Sequence, residues 1–383
     1  MQIFHGRREE FLTFVKHAAI LKKERNESIV KRKDSAMKHL IDRLAEAKDL
    51  PDEDLLALIT LDDPEAESYL AQKAVSVRER VYGRDVYIRG LIEFTNYCKN
   101  DCYYCGIRRS NTCAQRYRLT QEEILECCRE GWDLGFRTFV LQGGEDPYYT
   151  KERITDLVRA IKAQHPECAV TLSVGEWDRA ASAEWKNAGA DRYLLRHETA
   201  DAGLYRHLHP EVQTLENRMR CLDDLKDLGY QVGCGFMVGS PGQTPEMMLC
   251  DLRYMQKLQP HMVGIGPFIP HKDTPFKDEP AGTAAMTLRL LAIIRLMMPD
   301  VLLPATTALS TVQGDGRLEG MKYGANVVMP NLSPQSVRKK YSLYDNKAAT
   351  GEEAAESVAR LRQSMASIGF HVVTDRGDWK GAK

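Results

Sequence analysis

The 383-residue sequence lacks an apolar run of the roughly 18 residues that a membrane-spanning helix needs. Its best candidate, Leu288 to Met298, is interrupted by Arg289 and Arg295. The segment Met1 to Arg8 lacks the apolar core of a secretion signal. Lys and Arg (53) do not exceed Asp and Glu (54), which argues against nucleic acid as the main partner. We therefore expect a cytoplasmic protein with neither a membrane nor a nucleic-acid partner.

The composition is that of a folded globular protein, with 43% hydrophobic and 28% charged residues. Ten cysteines without a secretion signal predict reduced thiols or a metal site rather than a disulfide framework.

Eight short apolar runs alternate with helical windows, an order that predicts a parallel sheet with helical crossovers. The runs lie at 86–94, 138–142, 169–174, 193–196, 231–238, 262–266, 301–306 and 326–329. The windows lie at 120–134, 151–164, 179–188, 215–228, 245–258, 283–297, 316–323 and 352–368. Eight units favour closure as an α/β (β/α)8 TIM barrel. An open doubly wound sheet is the alternative, although no G-x-G-x-x-G follows the first run to favour a dinucleotide fold.

The domain organisation follows from the same pattern. Residues 1–83 are predicted to form an amino-terminal helical extension, and residues 84–383 the barrel with a carboxy-terminal helix. Residues 1–36 are rich in Lys and Arg with little apolar periodicity. They form either a solvated leader, such as one that results when the start codon is assigned too far upstream, or a basic anchoring segment.

Polar residues and glycines recur just past the predicted strands. They are Cys98–Cys105, Gln142–Asp146, Thr171, Ser173, Arg196–Thr199, Met237–Gly239, Pro267–His271, Thr306, Thr307 and Asn331. Because the carboxyl ends of barrel strands share one face, we expect these residues to converge on one cavity.

The cysteine loop is the most specific feature. Cys98, Cys102 and Cys105 have C-x3-C-x2-C spacing, which can bring three thiolates to three corners of an iron–sulfur cube. The fourth iron would then be open to a substrate's amine and carboxylate. The alternatives are unbound thiols or structural zinc, which needs a fourth ligand; the nearest further cysteine is Cys113. The other seven cysteines show no ligand spacing and are expected to be buried or incidental.

This loop, the aromatic Tyr104 before its last cysteine and the Gly143-Gly144-Glu145 string resemble the radical S-adenosylmethionine (SAM) superfamily over about residues 84–370. The resemblance implies an enzyme with one 4Fe–4S cluster on Cys98, Cys102 and Cys105, and SAM on the open iron. Reduction by an external donor such as ferredoxin or flavodoxin would cleave SAM to a 5′-deoxyadenosyl radical. The implied SAM-binding residues are Tyr104, Gly143, Gly144, Glu145, Ser173, Glu198 and Arg218.

Four further strings, at 192–200, 237–244, 264–271 and 304–308, resemble the HydE family of FeFe-hydrogenase maturases. That resemblance implies a cysteinate-bound Fe(CO)2(CN) substrate made by HydG, and transfer of the product to the scaffold HydF. The implied substrate cavity is lined by Arg196, Thr171, Met262, Thr306, Thr307, Tyr341 and Tyr344. Of these, Met262 could instead be core packing, and the two tyrosines could plug the barrel.

One departure and two alternatives remain. Cys250 is the last cysteine, so we expect no accessory carboxy-terminal cluster of the kind that some family members carry. The nearest alternative is a methylornithine synthase-like radical SAM mutase acting on lysine, which belongs to the same group as biotin synthase. The other is a non-enzymatic iron–sulfur carrier, which would need no SAM site.

Overall fold

The computed structural model describes residues 35–348 and 354–381. The predicted leader, residues 1–36, therefore lies outside the described residues except for its last two positions. Residues 35–47 form helix α1. The other elements are α2 (Asp52–Ile59), α3 (Pro64–Tyr82), β1 (Asp85–Ile88), β2 (Gly90–Thr95), α4 (Gln121–Asp133), β3 (Thr138–Gly143), α5 (Lys151–Gln164), β4 (Ala169–Ser173), α6 (Arg179–Ala188), β5 (Arg192–Leu194), α7 (Ala202–Leu208), α8 (Leu215–Asp227), β6 (Gln231–Cys234), β7 (Met237–Val238), α9 (Pro245–Leu258), β8 (Met262–Val263), β9 (Gly266–Pro267), α10 (Ala284–Met297), α11 (Thr307–Val312), α12 (Gly316–Lys322), β10 (Val327–Val328), α13 (Gln335–Arg338), α14 (Ala354–Ser367) and β11 (His371–Val373).

The parallel strands close into a ring. Six pair in the order β2-β3-β4-β5-β6-β8. Leu302 then bridges Met262 of β8, and Pro304 bridges Val327 of β10. The ring closes where Asn331, just after β10, bridges Leu91 of β2. The six strands and the two segments at 302–304 and 327–331 make an eight-stranded barrel, which confirms the predicted (β/α)8 fold and excludes an open doubly wound sheet.

Local sequence signals explain where the helices begin. Thr120 and Glu123 form a capping box at α4. Thr244 caps α9, whose first residue is Pro245. Ile124 of α4 belongs to the same buried core as Ile92 of β2 and Phe139 of β3, so the apolar side of α4 packs against the ring.

The carboxy-terminal residues close the amino-terminal end of the barrel, which the sequence pattern did not predict. The predicted run at 86–94 divides at Arg89 into β1 and β2, and β1 pairs with β10 and β11. Beyond β11, Asp378 forms an ion pair of 2.6 Å with the buried Arg192 of β5. Because this end is closed, a ligand can enter the barrel from the opposite end.

The amino-terminal helices pack outside the ring, with α3 against α10 and α2 against α9. Two ion pairs join them to the barrel, Arg289 with Glu67 at 2.7 Å and Arg253 with Asp52 at 2.7 Å. Within the described residues, no helix is both long enough and apolar enough to span a membrane.

Replacing Asp378 by Ala should destabilise the fold, because Arg192 would stay buried without its ion partner. We expect a loss of about 1–3 kcal/mol in the free energy of unfolding, towards the lower end because Asp378 is partly exposed. Urea unfolding at pH 7 measures it. Glu130→Ala, which removes an exposed carboxylate on α4, is the control and should leave the unfolding midpoint unchanged.

The same pair should give a pH dependence. Burial tends to raise the pKa of Asp378, but the charge and hydrogen bonds of Arg192 outweigh it and hold the pKa well below its usual range. Since the folded pKa lies below the unfolded value of about 3.9, this contribution is complete above that value and is lost as the pH falls through the folded pKa. An Asp378→Ala deficit that did not shrink in acid would contradict this.

Candidate active site

A cavity of about 280 Å³ opens at the carboxyl ends of the barrel strands. It is lined by Cys98, Asn100, Cys102, Tyr104, Cys105, Ile107, Gln142, Gly143, Gly144, Glu145, Ser173, Gly175, Leu194, Leu195, Arg196, Glu198, Arg218, Met237, Gly266, Pro267, Phe268, Ile269, Thr306, Ala308, Tyr341, Leu343 and Tyr344. The structure thus brings all three cysteines together with most of the other predicted site residues.

The cysteine loop follows β2 and forms one wall of this cavity. Asp101 and Arg108 pair across the loop at 2.7 Å. The guanidinium of Arg116 donates to four backbone carbonyls within and beside it, including that of Ile107 at 2.8 Å. At Gly106 a Cβ would meet the carbonyl of Ser342 at 2.2 Å, so glycine permits this packing. These contacts fix the backbone that carries the cysteines.

The three thiols suit a cluster better than a single ion. Burial raises the pKa of Cys98, raises that of Cys102 to about 12, and raises that of Cys105 well above its usual value. Thiolates here therefore need a nearby positive charge, which bound iron provides. Among the described residues, no three His, Cys, Asp or Glu side chains converge on one ion position. The C-x3-C-x2-C loop supplies three thiolates, a set that can bind three different irons of a cube, whereas structural zinc needs four ligands.

The glycine loop after β3 lies directly against the cysteine loop. A Cβ on Gly144 would meet the carbonyl oxygen of Tyr97 at 2.2 Å and Cys98 Cβ at 2.7 Å, so only glycine fits. The Glu145 carboxylate lies 3.2 Å from Lys99 Nζ and accepts a hydrogen bond from the Glu176 N–H at 3.0 Å. Burial raises the pKa of Glu145. Its oxygens lie at the cavity wall, where they could accept from an ammonium group.

Arg196 and Glu198 follow the end of β5 and line the cavity. Their nearest charged atoms are 3.0 Å apart, yet Arg196 Nη2 and Glu198 Oε2 do not meet in hydrogen-bond geometry. Glu198 has a φ of +66°, which is strained for a residue with a side chain. Behind it, the fully buried His197 lies 3.3 Å from Asp251. The result is a charged pair with buried, unpartnered polar atoms at the cavity wall.

Arg218 of α8 lies at the cavity wall, where its guanidinium already has protein partners. It pairs with Glu176 at 2.5 Å and donates to the carbonyl of Arg196 at 2.8 Å. A carboxylate of SAM would therefore share this guanidinium with Glu176. Sequence reasoning did not name Glu176, although it lies just past the predicted strand at 169–174 and three residues after Ser173.

Three predicted cavity residues lie elsewhere. Thr171 and Met262 line a separate, smaller pocket of about 10 Å³ inside the barrel, where Arg89 donates to the Met262 sulfur at 2.8 Å. Both belong to a level of the ring nearer its closed end, below the cavity. Thr307 is the first residue of α11 and does not line the cavity, whereas Thr306, the cap of that helix, does. Neighbouring residues at a helix start point in different directions.

Sequence reasoning missed Ile107, Gly175, Leu194 and Leu343, which also line the cavity. They are apolar residues and a glycine, which carry no chemical signal by themselves.

Comparisons with known proteins agree with this geometry. Residues 92–255 match the model of the Radical SAM superfamily. Together with relatives that cover most of the chain, this match shows that the chain belongs to the radical SAM superfamily. It is a radical SAM enzyme, and it binds a 4Fe–4S cluster and SAM.

Within the superfamily the chain is similar to the [FeFe] hydrogenase maturase subunit HydE of Thermotoga maritima, with 43% identity over 88% of this chain and 95% of the relative. It is 32% identical to 3-methylornithine synthase of Methanosarcina barkeri over 85% of this chain and 91% of the relative. A crystal structure of methylornithine synthase superposes with a TM-score of 0.76 at 31% identity, covering 87% and 97% of the two chains. The maturase HydG of Carboxydothermus hydrogenoformans, at 19% identity, a TM-score of 0.75 and coverage of 91% and 82%, shares the fold.

The residues at the cavity fit both the 4Fe–4S cluster and SAM. Three half-buried thiols stand on one loop, Gly144 leaves space that a Cβ would fill, and Arg196 and Glu198 keep unpartnered polar atoms. Such orphaned buried atoms are costly unless a ligand satisfies them.

Replacing Gly144 by Ala should separate the two loops, because the added methyl would overlap the Tyr97 carbonyl. We expect at least about a tenfold loss of SAM affinity and a lower iron content, because changes to residues that support metal ligands typically have an effect of this size. Iron and sulfide analysis after anaerobic reconstitution, with calorimetry of SAM binding, would measure both. Gly314→Ala, at a position with nothing within 4 Å, should bind as the wild type does. Normal SAM affinity in Gly144→Ala would refute the proposed role of this contact.

Proposed function

We propose that this enzyme acts in assembly of the diiron subcluster of FeFe-hydrogenase, by processing a cysteinate-bound Fe(CO)2(CN) complex. The observation that supports this best is the Arg196 guanidinium, which lies at the cavity wall with buried nitrogens that lack hydrogen-bond partners. Cyanide and carbonyl ligands are hydrogen-bond acceptors, and such a complex is anionic. A guanidinium with two buried nitrogens that lack hydrogen-bond partners is suited to bind it.

Tyrosine and threonine hydroxyls surround the same part of the cavity. Thr306, Tyr341 and Tyr344 line it with Arg196. Burial raises the pKa of Tyr341 well above its usual value and that of Tyr344 to about 12, so both phenols stay protonated and can donate. We assign these three residues and Arg196 to substrate binding.

The opposite wall would hold SAM. We assign Cys98, Cys102 and Cys105 to the cluster, and Tyr104, Gly143, Gly144, Glu145, Ser173, Glu198 and Arg218 to SAM. When bound, the reduced cluster and SAM supply a 5′-deoxyadenosyl radical. The protein orients both reactants, and the apolar side chains of Met237, Phe268 and Leu343 exclude water from the space between them.

The sulfur of the cysteinate is the proposed point of attack: a bond from the 5′-carbon of the radical to sulfur would form as the bond from sulfur to the amino-acid skeleton breaks, and the skeleton would leave as a carbon radical. The sulfur, now bonded to the 5′-carbon, would stay on the iron–carbonyl–cyanide unit that is proposed to dimerise. HydG is the proposed source of the substrate and HydF the acceptor of the product, in the cytoplasm. A ferredoxin or flavodoxin is the proposed electron donor.

A lysine mutase is the second candidate, since 3-methylornithine synthases are 31–32% identical to this chain. Lysine carries two ammonium groups, which need carboxylate partners. Among the described residues two acids line the cavity: Glu198 lies beside Arg196, and Glu145 belongs to the wall assigned to SAM. The inner cavity therefore offers hydrogen-bond donors to an anion more readily than carboxylates to the two ammonium groups of lysine. A non-enzymatic iron–sulfur carrier would need neither the residues assigned to the substrate nor those assigned to SAM.

The deciding experiment quantifies the methionine released by SAM cleavage, together with the 5′-deoxyadenosyl products, from anaerobically reconstituted, reduced enzyme with SAM. The iron complex, lysine and no addition are compared. We expect strong stimulation by the iron complex alone. Stimulation by lysine would instead establish the mutase.

Replacing Cys102 by Ala should abolish SAM cleavage while the barrel stays folded, because one iron loses its ligand. 5′-Deoxyadenosine analysis with circular dichroism checks both. Cys250→Ala, at an exposed cysteine outside the cavity, is the control and should retain activity. Retained 5′-deoxyadenosine formation in Cys102→Ala would disprove the cluster assignment.

Replacing Arg196 by Gln should impair binding of the iron complex but not the cleavage of SAM. We expect basal SAM cleavage to persist while stimulation by the iron complex falls at least about tenfold, the effect of losing a charge-assisted hydrogen bond. Arg220→Gln, on the exposed surface of α8 and paired with Asp224, serves as the control. Full stimulation in Arg196→Gln would remove this residue from the substrate site.

A further inference from the structure

The segment that carries the cysteines is strongly basic. Residues 97–118 contain five basic residues and one acidic residue, in a chain whose net charge is −1. The three cysteines in this segment line the cavity, whereas Lys99 and Arg109 of the same segment are exposed to solvent. The loop therefore lies between the cluster position and solvent, and its outer surface carries a local excess of positive charge.

Three of these cations are paired. Arg108 pairs with Asp101, Lys99 with Glu145 and Arg118 with Asp146. The other two have no carboxylate contact within the described parts of the chain. Arg109 is exposed, and the guanidinium of Arg116 is satisfied by carbonyl oxygens alone, which leaves its charge uncompensated.

A second segment adds to this surface. The carbonyl of Lys340 accepts a hydrogen bond of 2.7 Å from Asn96, the residue before Tyr97, so Lys340 lies beside the cysteine loop. We call Lys99, Arg109, Arg116, Arg118 and Lys340 the basic face.

The rim of the basic face is rigid and aromatic. The guanidinium of Arg118 stacks 3.8 Å from the Tyr97 ring centre, and that of Arg153 stacks 3.7 Å from the ring of Tyr148. Tyr148 is 47% exposed. Exposed tyrosines and arginines held in place by stacking are typical of residues that contribute most to protein interfaces.

We propose that the basic face is the docking surface for a small acidic protein that carries one electron on a flavin or an iron–sulfur group. This proposal rests on the electron donor named in the proposed function, and it adds where on the surface that donor binds. One electron leaves the carrier and enters the cluster behind the cysteine loop, without transfer of a proton or a group. The uncompensated charge steers an acidic partner to the point of the surface nearest the cluster.

The test measures binding, independently of turnover. Calorimetry would titrate oxidised flavodoxin, as the acidic probe, into holoenzyme at about 50 mM and 300 mM salt, which brackets the range where screening changes strongly. We expect Arg109→Glu with Lys340→Glu to raise the Kd at least about tenfold at low salt. Higher salt should weaken wild-type binding and reduce the difference between the two proteins.

The control reverses two charges on another face. Lys48 and Lys257 are exposed, one next to α1 and one in the last turn of α9, and Lys48→Glu with Lys257→Glu gives the same change in net charge. Its Kd should stay within about twofold of wild type. An equal Kd for the basic-face variant and wild type, equal weakening in the control, or preferential binding of a nucleic acid over flavodoxin would overturn the proposal.

A second measurement separates docking from damage to the cluster. Photoreduced 5-deazaflavin is a small neutral reductant, and the basic-face variant should be reduced by it at the wild-type rate but more slowly by flavodoxin. Slow reduction by both would place the defect in the cluster site and overturn the docking surface. The iron complex need not be present, so failure of the proposed substrate would leave this result intact.

Discussion

The site depends on the close approach of two loops that follow neighbouring strands. Gly144 lies against the backbone of Tyr97 and Cys98, with no space for a side chain. Asp146 reinforces the approach, since it accepts from Thr95 on one loop end and pairs with Arg118 on the other. If these loops separated, the cysteines and Glu145 would no longer share a cavity. The chemistry of the enzyme thus rests on a backbone contact.

The barrel makes this contact possible. Parallel strands β2 and β3 are direct neighbours, so their carboxyl ends deliver the two loops to the same rim. The carboxy-terminal residues close the opposite end through Arg192 and Asp378. One end is therefore devoted to stability and the other to ligands. This division explains why Thr171 and Met262 pack in the interior while Arg196 and Thr306 line the cavity.

Much of the fold and the metal loop could be predicted from the sequence because the signals are local. Strand and helix alternation gave the eight units, and the spacing of Cys98, Cys102 and Cys105 needs no distant partner. Pairings between remote segments could not be predicted. Glu176 on Arg218 and Asp378 on Arg192 depend on register and on tertiary packing. The depth of Thr171 within the barrel likewise depends on strand tilt and stagger, which no local pattern encodes.

The most direct test of the central claim is electron paramagnetic resonance of the reduced holoenzyme before and after addition of SAM. The structure places three cysteines on one loop and the predicted SAM-binding residues around the same cavity. SAM should therefore bind the iron that lacks a cysteine and shift the g-values of the cluster signal. An unchanged signal at SAM concentrations that saturate binding in calorimetry would contradict an open iron facing this cavity.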